Sequence, residues 1–157
     1  MTLFLLNVLL AVAWAALTGV FTPINFLAGF ILGYVALWLT QRRGTRSPYF
    51  ARVRRVISFS FFFIKELIKA NLRVASDVVS VRQRMTPGVI AIPLEAKTDA
   101  EITALANLIT LTPGTLSLDV SNDRRVLYIH AMYVKDVEQF KKEVKEGLER
   151  RLLEVLR

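Results

Sequence analysis

Few side chains in this sequence could perform chemistry. His130 is the only histidine, and the chain contains no cysteine, which excludes thiol catalysis and cysteine-based metal sites. A metal site needs several convergent ligands, and a hydrolytic triad needs a nucleophile and an acid placed around the histidine. No companion motif of either kind accompanies His130, and no glycine-rich phosphate-binding motif occurs. We therefore expect His130 to be a core or sheet-surface residue. We predict no catalytic, metal-binding or cofactor-binding residues and expect that the protein is not an enzyme.

The charged side chains are separated from a long apolar region at the N-terminus. No Asp, Glu, Lys, Arg or His precedes Arg42, and the apolar run is broken only around Pro23. A bilayer core needs about 20 residues of helix, and residues 3–21 and 24–40 each satisfy this length. Residues 1–41 are therefore predicted to form a transmembrane two-helix hairpin. A secretory signal is the weaker alternative, because no basic segment stands ahead of the apolar run.

The positive charge is concentrated directly after this hairpin. Residues 42–84 hold 11 Lys/Arg against 2 Asp/Glu, a net +9, whereas residues 85–157 hold 10 against 11, a net −1. A basic block beside a membrane span favours anionic lipid as its partner. Because basic loops stay on the cytoplasmic side, we expect both ends of the hairpin, and the C-terminal part of the chain, to face the cytoplasm.

Two glycines in the second predicted span have the spacing of a helix-packing motif. Gly29 and Gly33 form G-x-x-x-G, which allows close helix approach. The motif could close the hairpin on itself or pack against a partner subunit, and the sequence leaves both open. Intramembrane ion pathways usually contain titratable side chains. Since residues 1–41 carry no Asp, Glu, Lys, Arg or His, we predict that the hairpin does not conduct ions.

Residues 56–80 are predicted to form an amphipathic helix within a basic, membrane-proximal segment, residues 42–84. Its apolar residues recur at steps of three and four: Ile57, Phe61, Ile64, Ile68, Leu72, Ala75 and Val79. A third crossing would bury several charges at about 2.5 to 3.5 kcal/mol each, so a helix lying in the membrane interface is favoured over one that spans it. Lys65 and Glu66 are the charged pair nearest membrane depth; they either pair or face water, or lie near a partner's ion path.

Residues 85–157 predict a small cytoplasmic β-α-β-β-α domain, which makes the whole chain an α+β membrane protein. Residues 89–94 form a strand, and Pro93 suits an edge position. Thr98 and Glu101 have the spacing of a capping box before the first helix. Alternating residues 115–120, a turn at 121–124 and a strand at 126–134 give a hairpin. The last segment is predicted to be an amphipathic helix with its Lys and Glu residues away from the apolar face.

The loop after the domain's first helix combines residues with distinct conformational roles. Its sequence is Thr112, Pro113, Gly114 and Thr115. Pro ends the helix, Gly permits positive φ, and the threonine hydroxyls can bond free backbone groups. A structural turn explains these residue types, and contact with a partner protein is the alternative.

Two stretches of this domain resemble a known family. The residues ANLITLTPGTLSLDV at 106–120 and LYIHAMYV at 127–134 are similar to the E subunit of Mrp-type sodium/proton antiporters. The resemblance extends over the chain, since that family begins with an apolar hairpin and a basic region. It implies a prokaryotic plasma-membrane complex of several different subunits that exports Na⁺ in exchange for H⁺. Within such a complex we predict a non-conducting accessory subunit that supports assembly and stability.

A free-standing, membrane-anchored module that binds RNA or a small ligand is the competing hypothesis. RNA-binding sheets stack bases on exposed aromatic residues beside basic ones, and Tyr128, Tyr133, Arg124 and Arg125 fit that description. However, the net charge of −1 in residues 85–157 offers little attraction to phosphate. We therefore expect neither a nucleic-acid partner nor a small-molecule substrate.

Overall fold

The chain combines long helices with one small antiparallel sheet. The computed structural model describes residues 2–41, 48–80 and 85–157. It divides into two compact units, Met1–Arg54 and Arg55–Arg157. The predicted mixture of helix and small sheet is confirmed, and the elements after residue 85 follow the predicted β-α-β-β-α order. Arg42, Arg43 and Arg46 of the predicted basic segment lie outside the described residues.

The first unit contains two antiparallel helices, α1 (Thr2–Thr18) and α2 (Pro23–Gln41). Gly19 has φ +67°, which lets the chain leave α1 without the steric cost of a side chain. Asn25 stabilises the turn between the helices, because its side-chain amide donates to Thr18 Oγ1 at 2.7 Å and to the carbonyl of Val20 at 2.6 Å. Its Oδ1 accepts from Trp14 Nε1 at 3.0 Å. The polar residues of the turn are thus bonded to one another.

The two helices differ in whether they satisfy the length expected of a membrane span. Among the described residues, Pro23–Thr40 is long and apolar enough to cross a membrane, and Leu3–Thr18 is an apolar helix of shorter length. Both have mostly exposed apolar surfaces. Only a few positions along their shared interface are buried.

The third helix, α3 (Pro48–Val79), begins eight residues before the predicted start at Val56. Proline at the first turn is favourable because its missing N–H would have no partner there. The helix is amphipathic, as the spacing of its apolar residues predicted, but none of its residues is fully buried. Phe61 and Leu72 of the predicted apolar face are exposed, whereas Phe59 is half-buried against the core of the domain.

Three strands form an antiparallel sheet in the order β1-β3-β2, with β1 at Gly88–Pro93, β2 at Thr115–Val120 and β3 at Val126–Ala131. β1 is an edge strand, as Pro93 predicted. β3 ends at Ala131, three residues before the predicted boundary, because beyond it the backbone bonds to other segments. The amide of Met132 donates to the carbonyl of Gly114, and that of Val134 donates to the carbonyl of Thr86.

One face of the sheet packs on helix α4 (Asp99–Leu111) and on the C-terminal helical segment. The predicted capping box is confirmed: Glu101 N donates to Thr98 Oγ1, and Thr98 N donates to Glu101 Oε2, both at 3.2 Å. The core consists of Ile90, Ile92, Leu105, Ile109, Leu127, Ile129 and Leu152. This layer fixes where α4 ends and therefore where the loop at residues 112–115 lies.

The predicted C-terminal helix is present, but its middle is π-helical. Helix α5 (Val137–Lys142) passes into a π-helical segment, Glu143–Glu149, and then into α6 (Arg150–Leu156). A π-helix adds a residue to the turn and so changes which side chains face inward. Glu149, expected on the solvent side, is 1% exposed.

Two buried carboxylates hold the loop between β1 and α4. Glu149 Oε1 accepts from the amides of Glu95 at 2.6 Å and Ala96 at 2.9 Å. Glu101 Oε2 accepts from the next two amides, and Arg157 Nε donates to Glu101 Oε1 at 2.9 Å. The bond from Arg157, followed by those from the two amides, lowers the pKa of Glu101 from 4.5 to about 2. Four consecutive amides are thus satisfied by acidic side chains.

Candidate subunit-contact site

The loop at residues 112–115 is built as a helix C-cap. Thr112 Oγ1 donates to the carbonyl of Leu108 at 2.9 Å. Thr115 Oγ1 lies 2.6 Å from the carbonyl of Ile109 and 2.9 Å from that of Thr112. These hydroxyls bond carbonyls of the last turn of α4 and of its C-cap residue, and Thr112 N also donates to the carbonyl of Ile109 at 3.0 Å. The geometry accounts for both threonines as structural residues.

Gly114 is the position of this loop that requires glycine. Its φ is +89°, which other residues adopt only with strain. A Cβ there would also lie 3.2 Å from Cε2 of Tyr133. The loop therefore lies close to Tyr133, which follows strand β3.

Beside this loop, α3 and the domain enclose a groove of about 670 Å³, which we call the α3 groove. Two of the predicted site features meet in it, Glu66 and the loop at residues 112–115. Its lining residues from α3 are Phe62, Phe63, Glu66, Lys69, Ala70 and Arg73, and those from the C-terminal helical segment include Phe140, Lys142, Glu143, Glu146 and Leu148. The groove thus presents apolar residues beside charged residues of both signs.

Lys65 and Glu66 do not act as a pair. Glu66 lines the α3 groove and forms a 2.6 Å ion pair with Lys69, one helical turn away. Lys65 is exposed and lies outside the groove. Successive residues on a helix differ by about 100° in direction, so adjacent side chains diverge. The expectation that opposite charges here pair is met by Lys69 rather than by Lys65.

One end of the α3 groove is closed by a polar cluster that sequence reasoning missed. The hydroxyl of Tyr133 donates to the carboxylate of Asp77, and this bond raises the pKa of Tyr133. The guanidinium of Arg73 lies 5.5 Å from the centre of the Tyr133 ring. Oδ2 of Asp77 is buried and has no hydrogen-bond partner among the described residues. No local spacing signals this cluster, because Asp77 and Tyr133 are far apart in the sequence.

The other end of the α3 groove is closed by aromatic contacts. Phe59 packs against the domain core, and the guanidinium of Arg151 lies 4.3 Å from the centre of the Phe62 ring. Arg55 Nη1 donates to the carbonyl of Glu154. Side chains from residues 55 to 77 of α3 therefore touch the domain at both ends of the groove.

Gly29 and Gly33 lie in the first unit, on the face of α2 that meets α1. A Cβ on Gly29 would lie 2.9 Å from Cβ of Trp14, and one on Gly33 would lie 2.4 Å from Oδ1 of Asn7. Asn7 is fully buried, and its Nδ2 donates to the hydroxyl of Tyr49 at 3.1 Å. The geometry thus favours the interpretation in which G-x-x-x-G closes the hairpin on itself.

The residues considered for RNA stacking do not converge. Tyr128 and His130 lie on β3 with their side chains on the sheet face away from the core, whereas Tyr133 is bonded to Asp77 beside the α3 groove. Arg124 forms a 2.7 Å ion pair with Asp99. No shared platform of aromatic and basic side chains results from these residues.

Comparison with known proteins agrees with this architecture. A model of the family described as "Na+/H+ ion antiporter subunit" matches residues 7–155. The E subunit of the Na(+)/H(+) antiporter from Bacillus subtilis (strain 168) is 42% identical over 153 residues, which cover 98% of this chain and 97% of the relative.

Two solved structures show similar chains within larger assemblies. One is the Mrp complex from Dietzia sp. DQ12-45-1b, with a TM-score of 0.51 and 28% identity over 66% of this chain and 96% of that chain. The other is the membrane-bound sulfane sulfur reductase, an archaeal respiratory membrane complex, with a TM-score of 0.59 and 30% identity over 97% of this chain and 98% of that chain.

The names of the relatives are those of a membrane transporter component rather than of an enzyme. The chain belongs to the family of Na⁺/H⁺ antiporter E subunits, and the family predicted from residues 106–134 is confirmed.

Proposed function

We propose that this chain is a non-conducting accessory subunit of a multisubunit Na⁺/H⁺ antiporter in a prokaryotic plasma membrane, where it supports assembly and stability of the complex. The observation that carries the proposal is the composition of the hairpin. Residues 2–41 contain no Asp, Glu, Lys, Arg or His, and ion or proton transfer through a membrane uses such groups. Gly29 and Gly33, which lie against α1, support a packing role for these helices.

We propose that α1 and α2 cross the membrane as a hairpin, with both chain termini in the cytoplasm. The apolar character of both helices and the net charge of +9 in residues 42–84 support this topology. Anionic lipid headgroups then lie beside the basic segment. The domain formed by residues 85–157 is left free to meet other subunits at their cytoplasmic surfaces.

The α3 groove is our candidate for contact with another subunit. Apolar side chains such as Phe63 and Phe140 line it beside the charged Lys142 and Glu146. Lys142 and Glu146 are themselves exposed, so they can be replaced without opening the core. The loop at residues 112–115 contributes to this surface while its threonines cap α4.

A mild-detergent pull-down of the tagged full-length chain from its native membrane tests the proposal. We expect the other antiporter subunits to be recovered with the wild-type chain. A double variant with Lys142→Ala and Glu146→Ala should recover less of them, while Lys97→Ala, an exposed charge outside the α3 groove, should recover the wild-type amount. Recovery of the wild-type chain alone, from membranes that contain the other subunits, would contradict subunit membership. Equal recovery by the groove variant would remove only the groove assignment.

A further inference from the structure

Helix α3 carries an exposed apolar stripe that the described chain leaves uncovered. Ile57 is 50% exposed, Phe61 72%, Ile64 51%, Ile68 56% and Leu72 65%. At about 100° per residue these positions share one side of the helix. Soluble proteins rarely expose a large contiguous apolar surface, and such a surface marks a site of membrane or protein contact.

The opposite side of α3 is occupied by the domain. Phe59 packs against the core, Phe62 meets Arg151, and Asp77 accepts from Tyr133. From Phe59 to Asp77 these contacts extend over 18 helical steps, which is about 27 Å of helix at 1.5 Å per residue. If α3 crossed the bilayer, the charged domain packed along it would have to enter the hydrocarbon too. Exposed ions such as Lys142 and Glu146 make that arrangement unfavourable.

The acidic residues of α3 lie on one side of the helix. The segment of residues 42–84 has two acidic side chains, Glu66 and Asp77, and both point to the domain side, Glu66 into the α3 groove and Asp77 to Tyr133. Lys65, in contrast, is exposed and about 40° from Phe61 around the helix. The basic Lys65 thus lies beside the stripe, whereas both acidic residues lie on the domain side together with Lys69 and Arg73.

From these observations we infer that α3 lies in the membrane interface, with the stripe at residues 57, 61, 64, 68 and 72 in contact with anionic lipid and the domain held on its cytoplasmic side. An in-plane helix of this kind buries its apolar face about 5–10 Å into the boundary between headgroups and acyl chains. The bilayer is the favoured occupant because the chain reaches α3 directly from the apolar hairpin through a basic segment. The inference rests on the proposed membrane placement of that hairpin.

Site-directed spin labelling of the full-length chain tests this inference. The protein has no cysteine, so each single-cysteine variant carries one label. The series is Ile57→Cys, Phe61→Cys, Ile64→Cys, Ile68→Cys and Leu72→Cys, with Ala70→Cys on the domain side. Depth is measured from collision with oxygen and with a water-soluble nickel chelate, in phosphatidylcholine vesicles with and without phosphatidylglycerol.

We expect the five stripe positions at similar shallow depth, Ala70→Cys outside the lipid, and weaker insertion without phosphatidylglycerol. A depth that rises to a maximum near residue 64 and falls again would mean that α3 spans the membrane and would overturn the inference. Stripe labels accessible to the nickel chelate in both lipids would overturn it as well. Ile31→Cys, in α2, separates the two proposals: if its label is deep while the stripe is not, only this inference fails, and if it is also shallow, the hairpin topology fails.

Discussion

Replacing Glu149 should release the loop between β1 and α4. Glu149 is 1% exposed, and its carboxylate accepts hydrogen bonds from the backbone amides of Glu95 and Ala96 at 2.6 and 2.9 Å. Hydrogen bonds to a charged group contribute about 1.5–3 kcal/mol each, so Glu149→Met, which keeps the length of the side chain but has no oxygen, should cost about 3–6 kcal/mol. Glu149→Gln keeps one acceptor oxygen and should cost less than about half of that.

Hydrogen–deuterium exchange of the full-length protein measures this effect locally. Each 1.4 kcal/mol corresponds to a tenfold change, so Glu149→Met should speed exchange of the Glu95 and Ala96 amides by about two orders of magnitude or more, within the limit set by unfolding of the domain. Glu149→Gln is the matched control and should retain most of the protection. If Met and Gln variants exchange at the wild-type rate, Glu149 does not hold this loop, and our account of the π-helical segment is wrong.

Three further variants test other parts of the structure. Gly33→Ala should loosen the hairpin, because the new Cβ would clash with Oδ1 of Asn7 and overpacking costs about 1–3 kcal/mol. The thermal stability of the full chain in detergent should fall for this variant. It should not fall for the control Ala28→Leu, on the exposed side of α2. Thr115→Val removes the hydroxyl that lies 2.6 Å from the carbonyl of Ile109 and should lower the local stability by about 1–2 kcal/mol. Amide exchange at residues 109–116 should then be faster. The control Thr103→Val, at an exposed position, should have no such effect. The pKa of Glu101 falls from 4.5 to about 2 on folding, so its stabilisation is complete above about pH 4.5 and is lost as the pH falls toward 2; Glu101→Gln should flatten this part of the stability profile, and an unchanged profile would refute the assignment.

Features set by short-range spacing could be predicted from the sequence. The capping box of Thr98 and Glu101, the edge position of the strand that contains Pro93 and the apolar period of α3 all depend on residues within a few positions of one another. Each of these patterns constrains the backbone or one face of an element directly. The element order followed from them, together with the boundaries to within a few residues for most elements.

Features set by long-range contacts could not be predicted. An amphipathic pattern taken at 3.6 residues per turn places Glu149 among the solvent-facing residues, and nothing local indicates the π-helical segment that buries it. The bond between Tyr133 and Asp77 joins residues 56 positions apart. The α3 groove depends on this bond at one end and on Phe59 and Phe62 at the other, so only half of the candidate site was visible in the sequence, namely Glu66 and the loop at residues 112–115.

The most direct test of the central proposal separates the amount of complex from its activity. In membranes of a strain that lacks this chain, the assembled antiporter is quantified from the other subunits, and Na⁺-dependent proton movement is measured in vesicles made from the same membranes. We expect less assembled complex, with Na⁺/H⁺ exchange per remaining complex close to that of the parent strain. A normal amount of complex with exchange abolished would contradict the accessory role and place this chain on the ion path.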